Sequence, residues 1–140
     1  MEIRKPNDSE YITILWLSPQ AFFDGTLGEE KPSNEKIKQL IEPLLQKGSN
    51  YLIASEDDNL MGWILIGTRK DQFTEKIYGF IYELFVLEEF RGNGISKRLM
   101  ETGIEHLKQD GYSEVRLSVY VGNHAIKLYE KMDSKIEPLQ

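Results

Sequence analysis

The chain has 140 residues, of which 40% are hydrophobic and 29% charged, and its formal net charge is -6. This length and composition predict one globular domain over residues 1–140 with a buried core. The acidic balance argues against a nucleic-acid binder, which needs a basic face, and the lack of cysteine excludes disulfides and thiolate metal sites. Since the sequence contains neither an apolar leader nor a run long enough to span a membrane, we expect a cytoplasmic protein without a membrane partner.

The first third of the chain predicts a short strand followed by two helices. The strand lies in the sequence EIRKP. A helix capped by Asn7, Asp8 or Ser9 follows it, and we expect the pair Ser18-Pro19 to interrupt or kink this helix. The polar loop DGTLGEEKPSN leads to a second helix, which is amphipathic because apolar residues recur from Ile37 at i+3, i+4, i+7 and i+8.

The rest of the chain predicts three strands, a helix, a strand and a last helix. Two strands meet at the hairpin signal Asp57-Asp58-Asn59, and KIYGFIYELFVL forms the third strand. A helix that begins near Ile95 stops at Asp110-Gly111, the alternating sequence EVRLSVYV forms another strand, and NHAIKLYEKM forms the last helix. This order of elements predicts a single mixed α/β domain.

The segment EEFRGNGISKRLME, residues 88–101, joins the third of these strands to the helix that follows. The first turn of a helix leaves backbone N–H groups without partners, and together with the helix dipole these attract an anion. Gly92 and Gly94 permit a sharp turn and close approach of a ligand, while Arg91, Lys97 and Arg98 add positive charge. The segment therefore suits a phosphate or pyrophosphate, or is a tight turn followed by a solvated basic helix face.

Neither of the two common phosphate-binding motifs fits this segment. A Rossmann pattern would need a third small residue where Lys97 stands, and a Walker A loop would need Gly-Lys-Ser or Gly-Lys-Thr. The sequence ELFVLEEFRGNGIS instead resembles the Q/R-x-x-G-x-G/A pattern that follows an L-x-V strand in the GNAT superfamily of acyl-CoA N-acyltransferases. Arg91 stands at the Q/R position, Gly94 at the glycine, and Ser96 where Gly or Ala is usual.

A second segment, VYVGNHAIKLYEKM, resembles the N-x-x-A-x-x-L-Y-x-K region of the same family. The resemblance implies a GNAT-like α/β fold with a mixed central sheet flanked by helices, and acetyl-CoA as co-substrate. The residues that it implies in cofactor binding are Leu84, Phe85, Val86, Arg91, Gly92, Asn93, Gly94, Ile95, Ser96, Lys97 and Asn123.

Apart from Arg91, which adds positive charge, these cofactor residues divide into three groups with different implied roles. Backbone amides between Gly92 and Lys97 would hold the pyrophosphate. The main chain from Leu84 to Val86 would pair with the pantetheine arm, as a peptide pairs with a sheet edge, while the side chains of this strand are more typical of a core. Asn123 would contact the pantetheine, or would serve only as a helix N-cap.

Acetyl transfer to an amine needs a proton acceptor and a proton donor. An aliphatic amine with a pKa of about 10.4 is protonated at neutral pH, and freeing its lone pair costs about 4.6 kcal/mol. The resemblance implies Tyr129 as the general acid, although Tyr129 also fits the apolar stripe of the last helix. Glu83 is the candidate base; strict alternation would turn it away from Tyr82 and Leu84, and it could instead face solvent or pair with Arg116.

Together these features predict an N-acetyltransferase that moves an acetyl group from acetyl-CoA to a primary amine of a small molecule or peptide, by direct attack in a ternary complex. The thioester is already activated, so no metal is expected. The alternative is a non-catalytic CoA-binding or regulatory module on the same fold. The chain ends eight residues after Met132, so the closing strands are expected to be short, truncated or supplied by a partner in a homodimer.

Overall fold

A computed structural model of the chain describes residues 1–119 and 135–138. Within these ranges lie six β-strands and three α-helices. In chain order they are β1 (Glu2–Arg4), α1 (Asp8–Gly25), α2 (Asn34–Gln46), β2 (Asn50–Glu56), β3 (Asn59–Lys70), β4 (Ile77–Val86), α3 (Ile95–Gln109), β5 (Val115–Val119) and β6 (Lys135–Pro138). The predicted mixed α/β order is confirmed, while the predicted last helix, NHAIKLYEKM, lies outside the described residues.

The six strands form one sheet in sequence order. Strands β1 to β4 are antiparallel neighbours, whereas β5 is parallel to β4 and β6 is parallel to β5. The pairs between β5 and β6 run from Arg116 with Lys135 to Val119 with Pro138. The chain therefore supplies a short closing strand itself, which was one of the alternatives for its tail.

Helices cover both faces of the sheet and divide the core into two clusters. On one face, Ile14 of α1 and Ile37 of α2 pack against Trp63 of β3, and all three are completely buried. On the other face, Leu99 and the rest of the apolar side of α3 pack against Ile64 and its neighbours. The first face is called the α1/α2 face below, and the second the α3 face.

Helix α1 runs through Pro19 without interruption, so of the two expectations for Ser18-Pro19 the interruption is wrong, and the kink stays a prediction. Pro19 has no N–H to offer to the carbonyl of Leu15, four residues earlier. That carbonyl accepts instead from Nδ2 of Asn34, at 3.2 Å, on the neighbouring helix. The helix can therefore continue because a residue distant in sequence satisfies the group that proline leaves unpaired.

Strand β4 contains a β-bulge at Tyr82. Leu65 of β3 pairs with Glu83, but the next residue, Ile66, pairs with Ile81, so Tyr82 is an extra residue in the register. Glu83 lies opposite Leu65, which belongs to the core of the α1/α2 face, and Tyr82 packs against that same cluster. The expectation that Glu83 faces away from Tyr82 is therefore wrong, because the extra residue breaks the alternation on which it rested.

Candidate active site

Strands β4 and β5 are paired over only part of their length. Their register runs from Gly79 with Val115 to Ile81 with Leu117. Strand β4 continues from there to Val86, but among the described residues no further pair joins it to β5. The separation begins at the bulge, and it leaves the main chain of residues 84–86 on an open sheet edge that an extended ligand could pair with.

The loop after β4 presents a row of backbone N–H groups at the N-terminus of α3. No side chain caps this helix, and its N-cap residue is Gly94. The first backbone bond of the helix runs from Arg98 N to Gly94 O, at 3.2 Å. The N–H groups of residues 92–97 consequently have no acceptor among the described residues. Six successive donors at the positive end of a helix dipole are suited to a multiply charged anion such as a pyrophosphate.

Both glycines of this loop are required by backbone conformation rather than by packing. Gly92 has φ 84° and Gly94 has φ 75°, values that side chains other than glycine rarely adopt. A Cβ atom on either residue would have no heavy atom of the described residues within 4 Å. The described residues therefore leave open space beside both glycines, as the approach of a ligand would require.

The side chains around the loop differ in what they offer. The side chain of Arg91 bonds to residues of β4 and α1. Its Nε donates to Val86 O at 2.9 Å, and its guanidinium donates to Asp24 Oδ2 at 3.1 Å. Nδ2 of Asn93 donates to Phe90 O at 3.0 Å, and Ile95 is buried against the sheet. Ser96 is half-buried and Lys97 is exposed. Arg91 can thus fix the loop's position, Lys97 can reach a ligand, and the others contribute their N–H groups.

Glu83 is a carboxylate held in an apolar environment on the α1/α2 face. Its Oε1 accepts from Nε1 of Trp63 at 2.7 Å, while its Oε2 is buried and has no partner among the described residues. Burial raises the pKa of Glu83 to about 7, against a smaller lowering effect of the bond from Trp63. The partner of Glu83 in this structure is Trp63, and Arg116 instead contacts Asp71 and Glu114. A carboxylate that titrates near neutral pH is suited to proton transfer.

A cleft on the same face leads along α1 to the end of β4. Its lining residues are Leu17, Gln20, Phe85, Leu87, Glu88, Glu89 and Arg91. Phe85 stands two residues from Glu83 on the same side of β4, since it pairs with the buried Trp63. The cleft therefore reaches β4 two residues from Glu83, which does not itself line it, and it has Glu88 and Glu89 at its rim. Leu17, Gln20 and Trp63 were not predicted from the sequence, because they come from elements distant in sequence.

Two of the predicted site residues, Tyr129 and Asn123, lie outside the described residues. Within residues 1–119 and 135–138, no group of three or more His, Asp or Glu side chains is placed to hold a metal ion. In the same part of the chain, every helix is too short or too polar to cross a membrane.

The described residues thus form an α/β sheet with helices on both faces, whose fourth and fifth strands separate beside a glycine-rich helix N-terminus. The model of the GNAT acetyltransferase family matches residues 12–133. The chain therefore belongs to the GNAT family of acetyltransferases.

Individual relatives agree with this assignment. The chain is 30% identical over 112 residues to an N-alpha-acetyltransferase of Saccharolobus solfataricus, covering 74% of this chain and 67% of the relative. It is also 30% identical over 110 residues to an uncharacterized N-acetyltransferase of Bacillus subtilis, covering 74% of this chain and 69% of the relative. Among solved structures, a putative acetyl transferase from Pyrococcus furiosus superposes with a TM-score of 0.78 at 26% identity, over 99% of this chain and 97% of that one.

Proposed function

We propose that the protein transfers an acetyl group from acetyl-CoA to a primary amine of a small molecule or peptide, by direct attack in a ternary complex. The observation that carries this proposal is the arrangement around one end of β4. There, an open strand edge lies between a row of unpaired helix N–H groups and a buried carboxylate that titrates near neutral pH. A long ligand with an anionic end and a reactive end matches this arrangement.

The cofactor would be held mainly by main-chain atoms. Its pyrophosphate would accept hydrogen bonds from the N–H groups of residues 92–97, with Lys97 adding charge. Its pantetheine amides would pair with the edge of β4 at Leu84, Phe85 and Val86, beyond the last pair with β5. Arg91 would support the loop through its bonds to Val86 O and Asp24. Asn123 stays a predicted pantetheine contact.

Glu83 would act as the base. The protonated amine would donate one proton to the carboxylate, and its nitrogen would then form a bond to the thioester carbonyl carbon. As the carbon–sulfur bond breaks, the nitrogen would lose its second proton, which replaces the one that Tyr129 gives to the thiolate. Raising the pKa of Glu83 from 4.5 to about 7 brings the carboxylate closer to the pKa of an amine. This change removes about 3 kcal/mol from the cost of the proton transfer. The departing thiolate would take a proton from Tyr129, whose role stays a prediction.

Among primary amines, the α-amino group of a peptide fits this base best. An α-amino group has a pKa of about 8, roughly one unit above that of Glu83, whereas an aliphatic side-chain amine lies more than about three units above it. The acidic rim of the adjacent cleft, at Glu88 and Glu89, would also favour a cationic acceptor. The Saccharolobus solfataricus relative, named an N-alpha-acetyltransferase, supports the same acceptor class.

Thiol release from acetyl-CoA in the presence of an amine panel tests this function. The panel contains a peptide with a free N-terminus, the same peptide blocked at its N-terminus but carrying lysine, and a polyamine. We expect turnover with the first and much less with the others. In the variant Tyr129→Phe we expect turnover to fall about a hundredfold, as for the loss of a general acid. Tyr112→Phe, which removes a phenol at the far end of α3, serves as the matched control.

Two other results would count against the proposal. Binding of acetyl-CoA without thiol release on any amine would favour the non-catalytic CoA-binding module. Absence of both binding and release would also contradict acetyl-CoA as the co-substrate.

Four further properties stay predictions: the single-domain organisation, the cytoplasmic location, the lack of nucleic-acid and membrane partners, and the homodimer.

A further inference from the structure

Tyr51 stands in the same row of the sheet as Glu83. Strand β2 pairs Tyr51 with Leu65, and β3 pairs Leu65 with Glu83, so the three side chains lie side by side across three neighbouring strands. Residues directly opposite one another point to the same face, here the α1/α2 face. With adjacent strands about 4.8 Å apart, the Cα atoms of Tyr51 and Glu83 are separated by about 10 Å, which two long side chains can bridge.

The β-bulge creates this juxtaposition. In a regular ladder without the bulge, Tyr82 would pair with Leu65, and Glu83 would alternate to the α3 face, away from Tyr51. Bulges commonly occur where a side chain has to be redirected at a functional site. The redirected residue here is the proposed base, and the group that it gains as a neighbour is the phenol of Tyr51.

Both side chains end in a buried oxygen without a hydrogen-bond partner. Tyr51 is only 2% exposed, and neither its Oη nor Oε2 of Glu83 has a partner among the described residues. The two groups are complementary, because a phenol can donate a hydrogen bond, whereas an ionised carboxylate accepts hydrogen bonds and donates none. Two buried polar atoms left unpaired within one cluster call for a shared partner, such as a buried water molecule.

Few other polar groups face this pair. Tyr11 of α1 packs against Tyr51 with ring centroids 6.1 Å apart, and Glu42 of α2 is exposed beyond it. Tyr82 donates its hydroxyl to Thr68 O at 2.6 Å, and Nε1 of Trp63 is bonded to Oε1 of Glu83. Burial, and next the charge of Glu83, raise the pKa of Tyr51 far above its ordinary value. Tyr51 therefore keeps its proton and can donate it in a hydrogen bond.

We propose that Tyr51 is a positioning residue for Glu83, donating from Oη to Oε2 through one bound water molecule. The bond stabilises the ionised carboxylate and holds it in place to accept a proton from the amine. The proton of Tyr51 stays on the phenol throughout. This inference rests on the proposed role of Glu83 as the base.

The dependence of kcat/KM on pH tests whether Tyr51 acts on Glu83 during the reaction. Loss of a donor to the ionised carboxylate raises its pKa, so in Tyr51→Phe we expect the acid limb of the profile to move up by about one pH unit. At a pH below that limb, kcat/KM falls about tenfold, while the plateau at alkaline pH is nearly unchanged. Tyr112→Phe should leave the profile unaltered. An unmoved acid limb, or an equal loss at every pH, would overturn the proposal.

A titration of the Glu83 carboxyl carbon by NMR separates this proposal from the proposed function. It needs no substrate and compares the wild type with Tyr51→Phe. A higher pKa of Glu83 in the variant supports the Tyr51 contact even if no amine is acetylated, in which case the proposed function alone fails. An unchanged pKa overturns the contact even if the enzyme is active. Tyr51→Leu, which also removes the phenol and carries the same expectation, replaces Tyr51→Phe if that variant does not fold.

Discussion

Replacing Glu83 with glutamine is expected to remove most of the activity and, at alkaline pH, to make the folded protein more stable. Glutamine has nearly the same shape and can keep the bond from Nε1 of Trp63, so the site should retain its geometry. It cannot accept the proton of an amine. Loss of a general base typically lowers turnover about 10²- to 10⁴-fold, and thiol release with the best amine of the panel measures this loss.

The gain in stability follows from the direction of the Glu83 pKa shift. The carboxyl has a pKa of 4.5 when unfolded and about 7 in the folded protein, so the native state binds its proton more tightly. The stabilising contribution of the protonated form is complete below pH 4.5 and is lost as the pH rises through about 7. The ionised form then lowers the free energy of unfolding by about 3 kcal/mol, and glutamine, which carries no charge, causes no such loss.

Urea denaturation at two pH values measures this effect. Between a pH below 4.5 and about pH 8, the free energy of unfolding of Glu83→Gln should rise relative to the wild type by about 3 kcal/mol. Glu101→Gln, at an exposed position on α3, is the matched control and should show little change. If the free energies of unfolding of Glu83→Gln and the wild type differed equally at both pH values, burial would not destabilise the ionised carboxylate.

Replacing Gly94 with aspartate is expected to weaken the binding of acetyl-CoA about a hundredfold, or about 2.7 kcal/mol. The new carboxylate would lie at the N–H groups of residues 92–97, where it would compete with the pyrophosphate and repel it. Gly111→Asp is the matched control at the opposite end of α3. Both glycines have positive φ, 75° and 100°, and a Cβ at either has no heavy atom of residues 1–119 or 135–138 within 4 Å.

Calorimetric titration with acetyl-CoA separates the two variants. Because both substitutions impose similar backbone strain, the free energies of unfolding should fall by comparable amounts. Only Gly94→Asp should lose affinity for the cofactor. Equal dissociation constants for Gly94→Asp and Gly111→Asp would place the pyrophosphate somewhere other than the start of α3.

Features that depend on neighbours in sequence could be predicted. The hairpin at Asp57-Asp58 forms with φ values of 51° and 63° at these residues, the left-handed conformation that such a two-residue turn requires. Asn7, one of three candidate caps, forms a capping box with Glu10. Helix α3 begins at Ile95 and ends just before Asp110, as its apolar repeat and its terminal glycines indicate. In each case the determining residues lie within a few positions of one another.

Features that depend on contacts distant in sequence could not be predicted. The continuity of α1 at Pro19 depends on Asn34, and the environment of Glu83 depends on Trp63, twenty residues earlier. The bulge at Tyr82 appears only in the register with β3 and reverses the facing of Glu83. Two signals pointed to this region: a lone carboxylate in an apolar strand, and a tryptophan in β3 whose N–H needs an acceptor when buried.

The most direct test of cofactor binding at α3 is a ¹H–¹⁵N NMR titration of the full chain with CoA. The largest shifts are expected for the backbone amides of residues 92–97, which have no acceptor among the described residues. The amide resonance of Gly111, at the other end of the helix, should not shift. Saturable binding that leaves residues 92–97 unshifted, or no shift of any amide at millimolar CoA, would contradict the proposed site.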